Sequence, residues 1–326
     1  MKHPDFWGKE QPDWRTKALL PASWLYHAGH QIRYASCRPK RAGVPVICVG
    51  NVTVGGTGKT PVSVYIADYL ASRGINVHFL SRGYGGRQTF SPTLVDTDTH
   101  TAIDVGDEPL ILARHHVTWV SPDRAAGAQM AAADGAELIV MDDGFQNPGL
   151  IKDLSILIFD GEFGIGNGAL LPAGPLREPL SNAILRAHAA IIIGDDSKNL
   201  EATLATTLPV FKANFVPIGN KGKTGLPVVA FAGIGRPDKF FSSLGAAGYH
   251  VKAKRSFPDH HNYSNSDLIA LRSESRKLDA KLITTEKDFL RLKKSERIDI
   301  EVFTVTLSWP GKDSFSAFLD KKLNVD

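Results

Sequence analysis

Residues 50–61 form a glycine-rich segment whose residue types and spacing suit phosphate binding. The segment follows an apolar strand and opens a helix, so its backbone N–H groups and the positive end of the helix dipole can face phosphate oxygens. Lys59 can reach the β- and γ-phosphates of a nucleotide, and the Thr60 hydroxyl can hold Mg²⁺. The segment departs from the usual motif at Thr53, which replaces its first glycine, and at Val54, where one class of ATPases carries an extra lysine. We predict that ATP binds through Asn51, Thr53, Val54, Gly55, Gly56, Thr57, Gly58, Lys59, Thr60 and Pro61.

Two adjacent carboxylates, Asp142 and Asp143, end the apolar run 138–141. Neighbouring carboxylates repel each other unless a cation lies close to them. An acid at the end of such a strand holds Mg²⁺ directly or through water in enzymes with a phosphate-binding loop. The pattern therefore predicts a magnesium site, although one of the two residues could instead be a turn or cap residue.

Asp107 lies in the sequence Gly106-Asp107-Glu108-Pro109, before a helical stretch that ends near Arg114. A helix start, with Asp107 as N-cap and Pro109 just inside, explains this pattern. A hydroxyl that accepts a phosphoryl group also needs a carboxylate to receive its proton. Both interpretations of Asp107 are open.

Two further segments carry candidate functional residues. Three prolines stiffen the loop 171–179, so Arg177 and Glu178 are held in place for phosphate binding or for a structural ion pair. Residues 257–261 combine an aspartate with His260 and His261, which suits a metal site or an acid–base pair, but also a solvated loop. Adjacent histidines point in different directions, so only one of them is expected to serve a given site.

The elements that position these residues alternate between apolar strands and helices from residue 44 onwards. This alternation predicts an α/β fold with a mostly parallel sheet covered by helices on both faces, as in P-loop NTPases. A second, smaller α/β unit is predicted over residues 225–300, after a first domain over 44–218. Strands at 210–216 and 300–305 could pair as a two-stranded connection, with the tail 301–326 returning to the first domain.

Residues 1–43 are basic and rich in tryptophan. They contain eight basic and three acidic residues, a net charge of +5 in a chain of net charge +4, and three of the five tryptophans. Pro21 can start a helix that places Leu25, Ala28, Ile32 and Ala35 on one face. The composition favours an amphipathic segment on an anionic membrane over a helix packed against its own domain.

Composition argues against several other classes of protein. The rest of the chain offers no basic stripe for nucleic acid, and no apolar run approaches the ~20 residues that span a bilayer. The two cysteines do not form a disulfide framework, and the N-terminus lacks the apolar core of a signal peptide. We expect the protein to act in the cytoplasm, and no obligate protein partner is inferred.

Taken together, the motifs resemble the tetraacyldisaccharide 4′-kinase (lipid A 4′-kinase) family, in the same order over nearly the whole chain. Beyond the segments described above, the resemblance rests on residues 81–85, 142–146, 166–168 and 285–288. It implies transfer of the ATP γ-phosphate to the 4′-hydroxyl of a tetraacyldisaccharide 1-phosphate, giving lipid IVA for lipopolysaccharide. It also implies a peripheral enzyme on the cytoplasmic face of the inner membrane of a Gram-negative bacterium.

The resemblance also implies residue roles. Asp107 would be the base for the 4′-hydroxyl, paired with His260, and Lys59 and Arg177 would act on the phosphates. Mg²⁺ would be organised by Thr60, Asp142, Asp143 and Glu178. Substrate would be bound by Arg82, Tyr84, Glu108, Arg124 and Gln146. Asn147 stands where the family often has a histidine, so a role given to that histidine does not carry over.

Two other classes of protein share some of these features. A P-loop ATPase or metallochaperone-type NTPase would need neither an acceptor base nor a membrane-facing segment. A membrane-associated scaffold with a degenerate nucleotide site would not need Lys59, Thr60 and the two aspartates. The products of ATP turnover distinguish these classes from a kinase.

Overall fold

The protein is described by a computed structural model that covers residues 4–9, 11–87, 90–219, 224–311 and 314–324. Lys2 and Glu10, which contribute to the charge of the N-terminal segment, lie outside these residues, as do 312–313 and 325–326 of the predicted tail. The strands are β1 (Val46–Gly50), β2 (Val77–Ser81), β3 (Thr93–Leu94), β4 (Thr118–Val120), β5 (Leu138–Asp142), β6 (Leu154–Asp160), β7 (Ala189–Ile193), β8 (Val210–Pro217), β9 (Pro227–Ala232), β10 (His250–Ser256), β11 (Lys281–Thr285), β12 (Ile300–Phe303) and β13 (Val305–Ser308). The α-helices are α1 (Trp14–Ser36), α2 (Lys59–Ser72), α3 (Ala102–Val105), α4 (Asp107–Ala113), α5 (Arg124–Ala133), α6 (Leu180–Ile184), α7 (Leu200–Leu204), α8 (Pro237–Ala246), α9 (Asn265–Lys277), α10 (Glu286–Arg291) and α11 (Ser314–Leu323). Short 3₁₀ helices lie at Asp5–Gly8 and Lys294–Glu296.

The first domain is built on a nine-stranded sheet in the order β13-β8-β7-β6-β1-β5-β2-β4-β3. Its central strands pair in parallel, and each is buried along its whole length, as the continuous apolar runs predicted. Helices α2 and α11 pack against one face, and α5, α6 and α7 pack against the other. The predicted α/β fold, with helices on both faces of a mostly parallel sheet, is confirmed.

The second domain is a parallel four-stranded sheet in the order β10-β9-β11-β12. Its helix α8 packs on one face and α9 on the other. The Ser264 hydroxyl caps α9 by accepting from the N–H of Asp267, which is why the helix begins at this point. Because the strands are parallel, the loops that follow β9, β10 and β11 share one edge of the sheet.

The connection between the domains differs from the predicted pair of strands. The predicted strand 300–305 is divided at Thr304, where β12 ends in the small sheet and β13 begins in the large one. The Thr304 carbonyl oxygen accepts a hydrogen bond from the N–H of Ile218, which joins the two chain segments that connect the domains. Strand β13 pairs with β8, and β8 also pairs in parallel with β7, so these strands extend the large sheet instead of forming a separate linker.

Helix α1 begins at Trp14, seven residues before the predicted start at Pro21. The Asp13 side chain caps the helix by accepting hydrogen bonds from the N–H groups of Arg15 and Thr16, at 2.9 and 3.3 Å. These bonds satisfy N–H groups of the first turn, so the helix begins at Trp14 and continues through Pro21. The proline removes one backbone hydrogen bond from an exposed stretch of the helix.

Helix α1 contacts the first domain through polar groups. Thr16 and Ser23 are its only buried residues among those described. The Ser23 hydroxyl donates to the Leu170 carbonyl at 2.8 Å, and the Thr16 hydroxyl accepts from the Asn167 amide at 3.1 Å. The apolar face of α1 therefore points away from the domain. Within the described residues, no helix combines the length and the apolarity that crossing a bilayer requires.

Candidate active site

A cleft of about 1800 Å³ lies between the two domains, at the carboxyl ends of the strands of both sheets. Parallel α/β sheets bind their ligands at this end of the strands. The predicted site residues that line it are Val54, Gly55, Gly56, Thr57, Gly58, Lys59, Thr60, Pro61, Arg82, Tyr84, Glu108, Arg124, Asp142, Asp143, Gln146, Arg177 and His260. The predicted site residues behind this surface are Asn51, Thr53, Asp107 and Glu178.

The glycine-rich segment forms a tight loop between β1 and α2. Gly58 has a φ of +89°, and a Cβ atom there would lie 2.7 Å from Ile193 Cδ1 and 2.8 Å from Phe215 Cζ. Glycine is therefore required by backbone conformation and by space. The Asn51 amide donates to the Thr57 hydroxyl at 3.0 Å and spans the loop from within. Asn51 thus shapes the loop although it does not reach the cleft.

The stiff loop 171–179 supports the phosphate-binding loop from one side. The N–H of Val54 donates to the Pro175 carbonyl at 2.9 Å, and the N–H of Arg177 donates to the Val52 carbonyl at 2.7 Å. The proline-rich segment and the glycine-rich segment are therefore one structural unit. Its rigidity places the Arg177 side chain at the rim of the phosphate site.

Asp142 ends β5 and points at the first turn of α2. Its carboxylate accepts hydrogen bonds from the hydroxyls of Thr60 and Ser63, at 3.1 and 2.9 Å. Burial raises the pKa of Asp142 to about 7, and the negative charge of Glu108 adds to this effect. A buried carboxylate whose pKa is raised in this way gains most from a cation.

Asp143 turns away from Asp142 because its own φ is +52°. Its carboxylate lies 3.6 Å from Lys59 Nζ and accepts a hydrogen bond of 2.8 Å from Arg177. Burial opposes ionisation of Asp143, but the charges of Lys59 and Arg177 outweigh it and lower its pKa to about 2. The two carboxylates therefore avoid mutual repulsion by facing different partners.

The oxygen atoms near Thr60 have the chemistry that Mg²⁺ prefers. Thr60, Ser63 and Asp142 supply hydroxyl and carboxylate oxygens from one turn of α2 and the end of β5. Within the described residues, no group of three or more histidine, cysteine, aspartate or glutamate side chains forms a complete protein-only metal site. The oxygens of Thr60, Ser63 and Asp142 suit an ion that takes its remaining ligands from phosphates and water.

Glu178 has a different environment from the other predicted metal residues. It is buried, pairs with Arg186, and accepts a hydrogen bond of 3.0 Å from the Gln146 amide. Gln146 also donates to the Asn51 carbonyl at 2.8 Å. Glu178 thus braces the start of the phosphate-binding loop, and the structure does not bring it to the surface of the cleft.

Asp107 is the first residue of α4, and Gly106, with a φ of +92°, occupies the N-cap position. The interpretation of Asp107 as the N-cap is therefore wrong: its Oδ1 accepts from the N–H of Glu108 at 3.1 Å, and its Oδ2 pairs with Arg291 of the second domain. His260 Nδ1 lies 3.5 Å from Asp107 Oδ2. Burial opposes ionisation, but His260, Lys287 and Arg291 outweigh it and hold the pKa of Asp107 well below its usual range.

His260, and not His261, reaches Asp107. His260 has a φ of +57°, and its N–H donates to the Gly233 carbonyl at 3.0 Å, which fixes this unusual backbone conformation. The Asp107 carboxylate beside it raises the pKa of His260, against the opposing effect of burial. The His261 ring instead lies 3.1 Å from Asp267 of α9. The expectation that adjacent histidines serve different places is confirmed.

Two further ion pairs join α4 to α10 across the cleft. Lys287 binds Glu108 at 2.6 Å, and Arg114 binds Glu286 at 2.9 Å. Burial opposes the charge of Lys287, yet the nearby Glu108 and Asp107 raise its pKa. Glu108, a predicted substrate residue, is therefore engaged with the second domain.

Two arginines line the cleft next to the carboxylates. Arg82 follows β2 and is exposed, whereas Arg124 is buried at the start of α5 and donates to the Ser121 carbonyl at 2.7 Å. Arg124 Nε has no partner within the described residues. Burial lowers the pKa of Arg124 to about 10, and the charge of Arg82 adds to this effect. Two cations that line the same cleft are suited to an anionic group placed between them.

Comparison with known proteins decides the family. Residues 15–324 match the model of the LpxK family, described as tetraacyldisaccharide-1-P 4′-kinase. The chain belongs to this family. Among its relatives, the tetraacyldisaccharide 4′-kinase of Rhodospirillum centenum is 44% identical over 98% of this chain and 96% of its own length. That of Paramagnetospirillum magneticum is 45% identical over 98% of both chains.

A solved structure of the tetraacyldisaccharide 4′-kinase family has the same fold. It is LpxK from Aquifex aeolicus, described as an "apo" form in complex with ATP, with a TM-score of 0.75 and 29% identity. The match covers 94% of this chain and 99% of the other. The present chain is thus an ATP-dependent kinase of this family, and the resemblance inferred from its motifs is confirmed.

Several residues of this 4′-kinase site were not predicted from the sequence. Ser63 could have been found, because it lies one helical turn after Thr60 and so faces the same side of α2. Lys287 lies in the segment 285–288, which contributed to the resemblance without a role being given to it. Arg291 lies four residues after Lys287 and belongs to no motif that the sequence revealed.

Proposed function

We propose that this chain transfers the γ-phosphoryl group of ATP to the 4′-hydroxyl of a tetraacyldisaccharide 1-phosphate, giving lipid IVA. One observation carries the proposal: a phosphate-binding loop with Lys59 and an acid–base pair ending in His260 line the same cleft. A donor nucleotide and a hydroxyl acceptor can therefore occupy it together. The names of the relatives supply the identity of the acceptor.

In the proposed reaction, the acceptor oxygen bonds to the γ-phosphorus, the bond between that phosphorus and the bridging β–γ oxygen breaks, and ADP leaves. The hydroxyl proton goes to the enzyme. The sequence-based hypothesis gave this proton to Asp107, but the geometry favours His260. His260 is 42% exposed and lines the cleft, whereas the Asp107 carboxylate is 4% exposed and lies behind it.

In this arrangement His260 and Asp107 have different roles in proton transfer. Asp107 Oδ2 lies 3.5 Å from Nδ1 of His260, and in the tautomer that keeps a proton on Nδ1 the proton of the acceptor goes to Nε2, which lies 3.8 Å from Asp259. The ionised carboxylate then stabilises the imidazolium that forms. Phosphoryl transfer depends mainly on positioning and charge stabilisation, so a weak base in the right place suffices.

We further propose that Lys59 and Arg177 stabilise charge on the transferring group and that Mg²⁺ binds with the nucleotide. Thr60 and Asp142 would hold the ion, with Asp143 keeping Lys59 and Arg177 in place. When bound, Mg²⁺ would neutralise phosphate charge. Arg82 and Arg124 would bind an anionic group of the acceptor, and the exposed Tyr84 ring, 5.9 Å from that of His260, would contact its sugar.

The membrane is the proposed location, through α1. Trp14, Trp24, Leu25 and Ile32 are each between 68% and 76% exposed, although apolar side chains on a packed helix are usually buried. Lys17 and Arg33 are exposed on the same helix, and three basic residues, Arg38, Lys40 and Arg41, follow it. A helix that presents tryptophan and positive charge to solvent suits an anionic bilayer surface. Because ATP is cytoplasmic, the cytoplasmic face of the inner membrane is the proposed side.

The competing activity is ATP hydrolysis without an acceptor. It would leave the pairing of His260 with Asp107 without a use. The test is to follow ADP release from purified enzyme with and without the lipid disaccharide. A kinase requires the acceptor for turnover beyond a small background, whereas equal rates in both conditions would support the NTPase.

A further inference from the structure

Arg291 of the second domain connects the two members of the acid–base pair. Its Nε donates to Asp107 Oδ2 at 3.1 Å, and its Nη2 donates to the same oxygen and lies 3.3 Å from His260 Nδ1. Its side chain is 3% exposed, and that of Asp107 is 4% exposed. A buried ion pair with this geometry fixes the orientation of both side chains.

A second set of contacts fixes Arg291 itself. Asp288, which is fully buried, accepts hydrogen bonds of 2.9 Å from Arg291, from Tyr263 and from the N–H of Gly233. Arg291 also donates to the Gly233 carbonyl at 2.6 Å. The same carbonyl accepts from the N–H of His260. One arginine therefore holds the carboxylate of Asp107 and the backbone segment that carries His260.

The two ends of this network belong to different domains. Asp107 begins α4 of the first domain, whereas Arg291 ends α10, and His260 follows β10 of the second domain. Asp107 thus gains both partners only where the domains touch.

We propose that Arg291 is a positioning residue for phosphoryl transfer, which orients Asp107 behind His260 and does so only when the two domains are in contact. This inference rests on the proposed function. Arg291 does not touch the reacting atoms in this account and acts through Asp107. Its guanidinium fork matches the geometry of the network in a way that a lysine cannot.

The Arg291 guanidinium also changes the proton affinity of His260. The charged groups that face this imidazole are Asp107 of α4, Asp259 of its own loop and Arg291 of α10, with the Tyr84 ring beside it. Asp107 and Asp259 raise the pKa of His260, whereas Arg291 lowers it. Loss of the arginine charge should therefore raise that pKa further.

Other titratable groups near α4 are engaged elsewhere. Asp104 of α3 is bound to Thr101, and Asp68 of α2 is bound to His116, beyond the other end of α4.

The test compares Arg291→Gln, Arg291→Lys and Arg114→Gln with wild type in steady-state kinetics over a range of pH. Arg114→Gln is the matched control, because it breaks another ion pair between α4 and α10 without touching the acid–base pair. Arg291→Gln should lower kcat about 10²-fold, the effect of misplacing a catalytic group by about 1 Å. The KM for ATP should stay within about twofold, and the acid limb of kcat/KM should move to higher pH.

Arg291→Lys separates charge from geometry. It should keep the acid limb near its wild-type position but leave kcat lowered, since one ammonium cannot hold Asp107, Asp288 and Gly233 together. This variant also decides the matter if Arg291→Gln fails to fold. Wild-type kcat in Arg291→Lys would overturn the positioning role, as would a folded Arg291→Gln whose kcat and pH profile match those of Arg114→Gln. Absence of lipid product from wild-type enzyme would instead refute the proposed function itself.

Discussion

The nearest atoms of Asp107 and His260, Oδ2 and Nδ1, lie 3.5 Å apart, although the two residues belong to different domains and are separated by 153 positions in the chain. One is a buried carboxylate and the other a half-exposed imidazole. The order from cleft to core, with His260 in front and Asp107 behind, assigns them different tasks.

Replacing Asp107 with asparagine should lower kcat by ~10²–10⁴-fold while ATP binding is retained, because the amide cannot stabilise an imidazolium. The acid limb of kcat/KM should move to lower pH, since the carboxylate is the main group that raises the pKa of His260. Steady-state kinetics from pH 5 to pH 9 measure both effects. Stability should fall by ~3 kcal/mol or less, because Arg291 keeps Asp288 as a partner. Asp104→Asn, three residues earlier, is the control and should retain wild-type kcat.

Replacing His260 with glutamine should lower kcat, whereas His261→Gln should leave it near the wild-type value, because His261 is bound to Asp267 away from the pair. In wild type, kcat/KM should rise with pH through the raised pKa of His260, since only the neutral imidazole accepts a proton. The double variant with Asp107→Asn should lose less than the product of the single losses. Full multiplicativity would mean that the two residues act independently.

Replacing Lys59 with alanine should lower kcat by at least about 10²-fold, because it removes a positive charge aimed at the transferring phosphoryl group. Lys59 is nearly buried and lies beside Asp143, so its position is fixed before nucleotide binds. Lys212→Ala, which removes an exposed ion pair with Glu201, is the control for loss of a lysine. Near wild-type turnover by a folded Lys59→Ala enzyme would refute the assignment of the phosphate-binding loop.

Much of the nucleotide site could be predicted from the sequence because it is local. The glycines, Lys59 and Thr60 are contiguous, and Asp142 follows an apolar strand whose partner in a parallel sheet is β1. The pairing of Asp107 with His260 was inferred from the family resemblance alone. The residues themselves left Asp107 open as a helix cap or as a carboxylate for proton transfer, and the N-cap is Gly106.

The parts that could not be predicted depend on contacts between distant segments. Arg291 is 184 residues from Asp107 and lies in no recognised motif. The family resemblance grouped Glu178 with the metal residues, but its environment is set by Arg186, which lies just after the following helix. The sequence does carry a signal for the early start of α1, because Asp13 is a capping residue that precedes the predicted start at Pro21.

Membrane binding should depend on the exposed apolar side chains of α1. The combined change of Trp24, Leu25 and Ile32 to alanine should weaken co-sedimentation with anionic vesicles by at least about 10²-fold, because each buried side chain of this size contributes roughly 1.5–3 kcal/mol. Alanine keeps the helix intact. Ile269→Ala with Ile298→Ala, which removes exposed isoleucines from the second domain, should leave binding unchanged. Equal vesicle binding by the α1 variant and wild type would place the membrane contact elsewhere.

The central claim is transfer of a phosphoryl group to one hydroxyl of a lipid disaccharide. Its most direct test is to incubate the enzyme with γ-labelled ATP, Mg²⁺ and tetraacyldisaccharide 1-phosphate, and to locate the label by mass spectrometry and phosphorus NMR of the lipid fraction. The account predicts one label per lipid at the 4′ position, with Asp107→Asn and His260→Gln enzymes giving the same product more slowly. Label found only in free inorganic phosphate, or on another hydroxyl of the sugar, would contradict it.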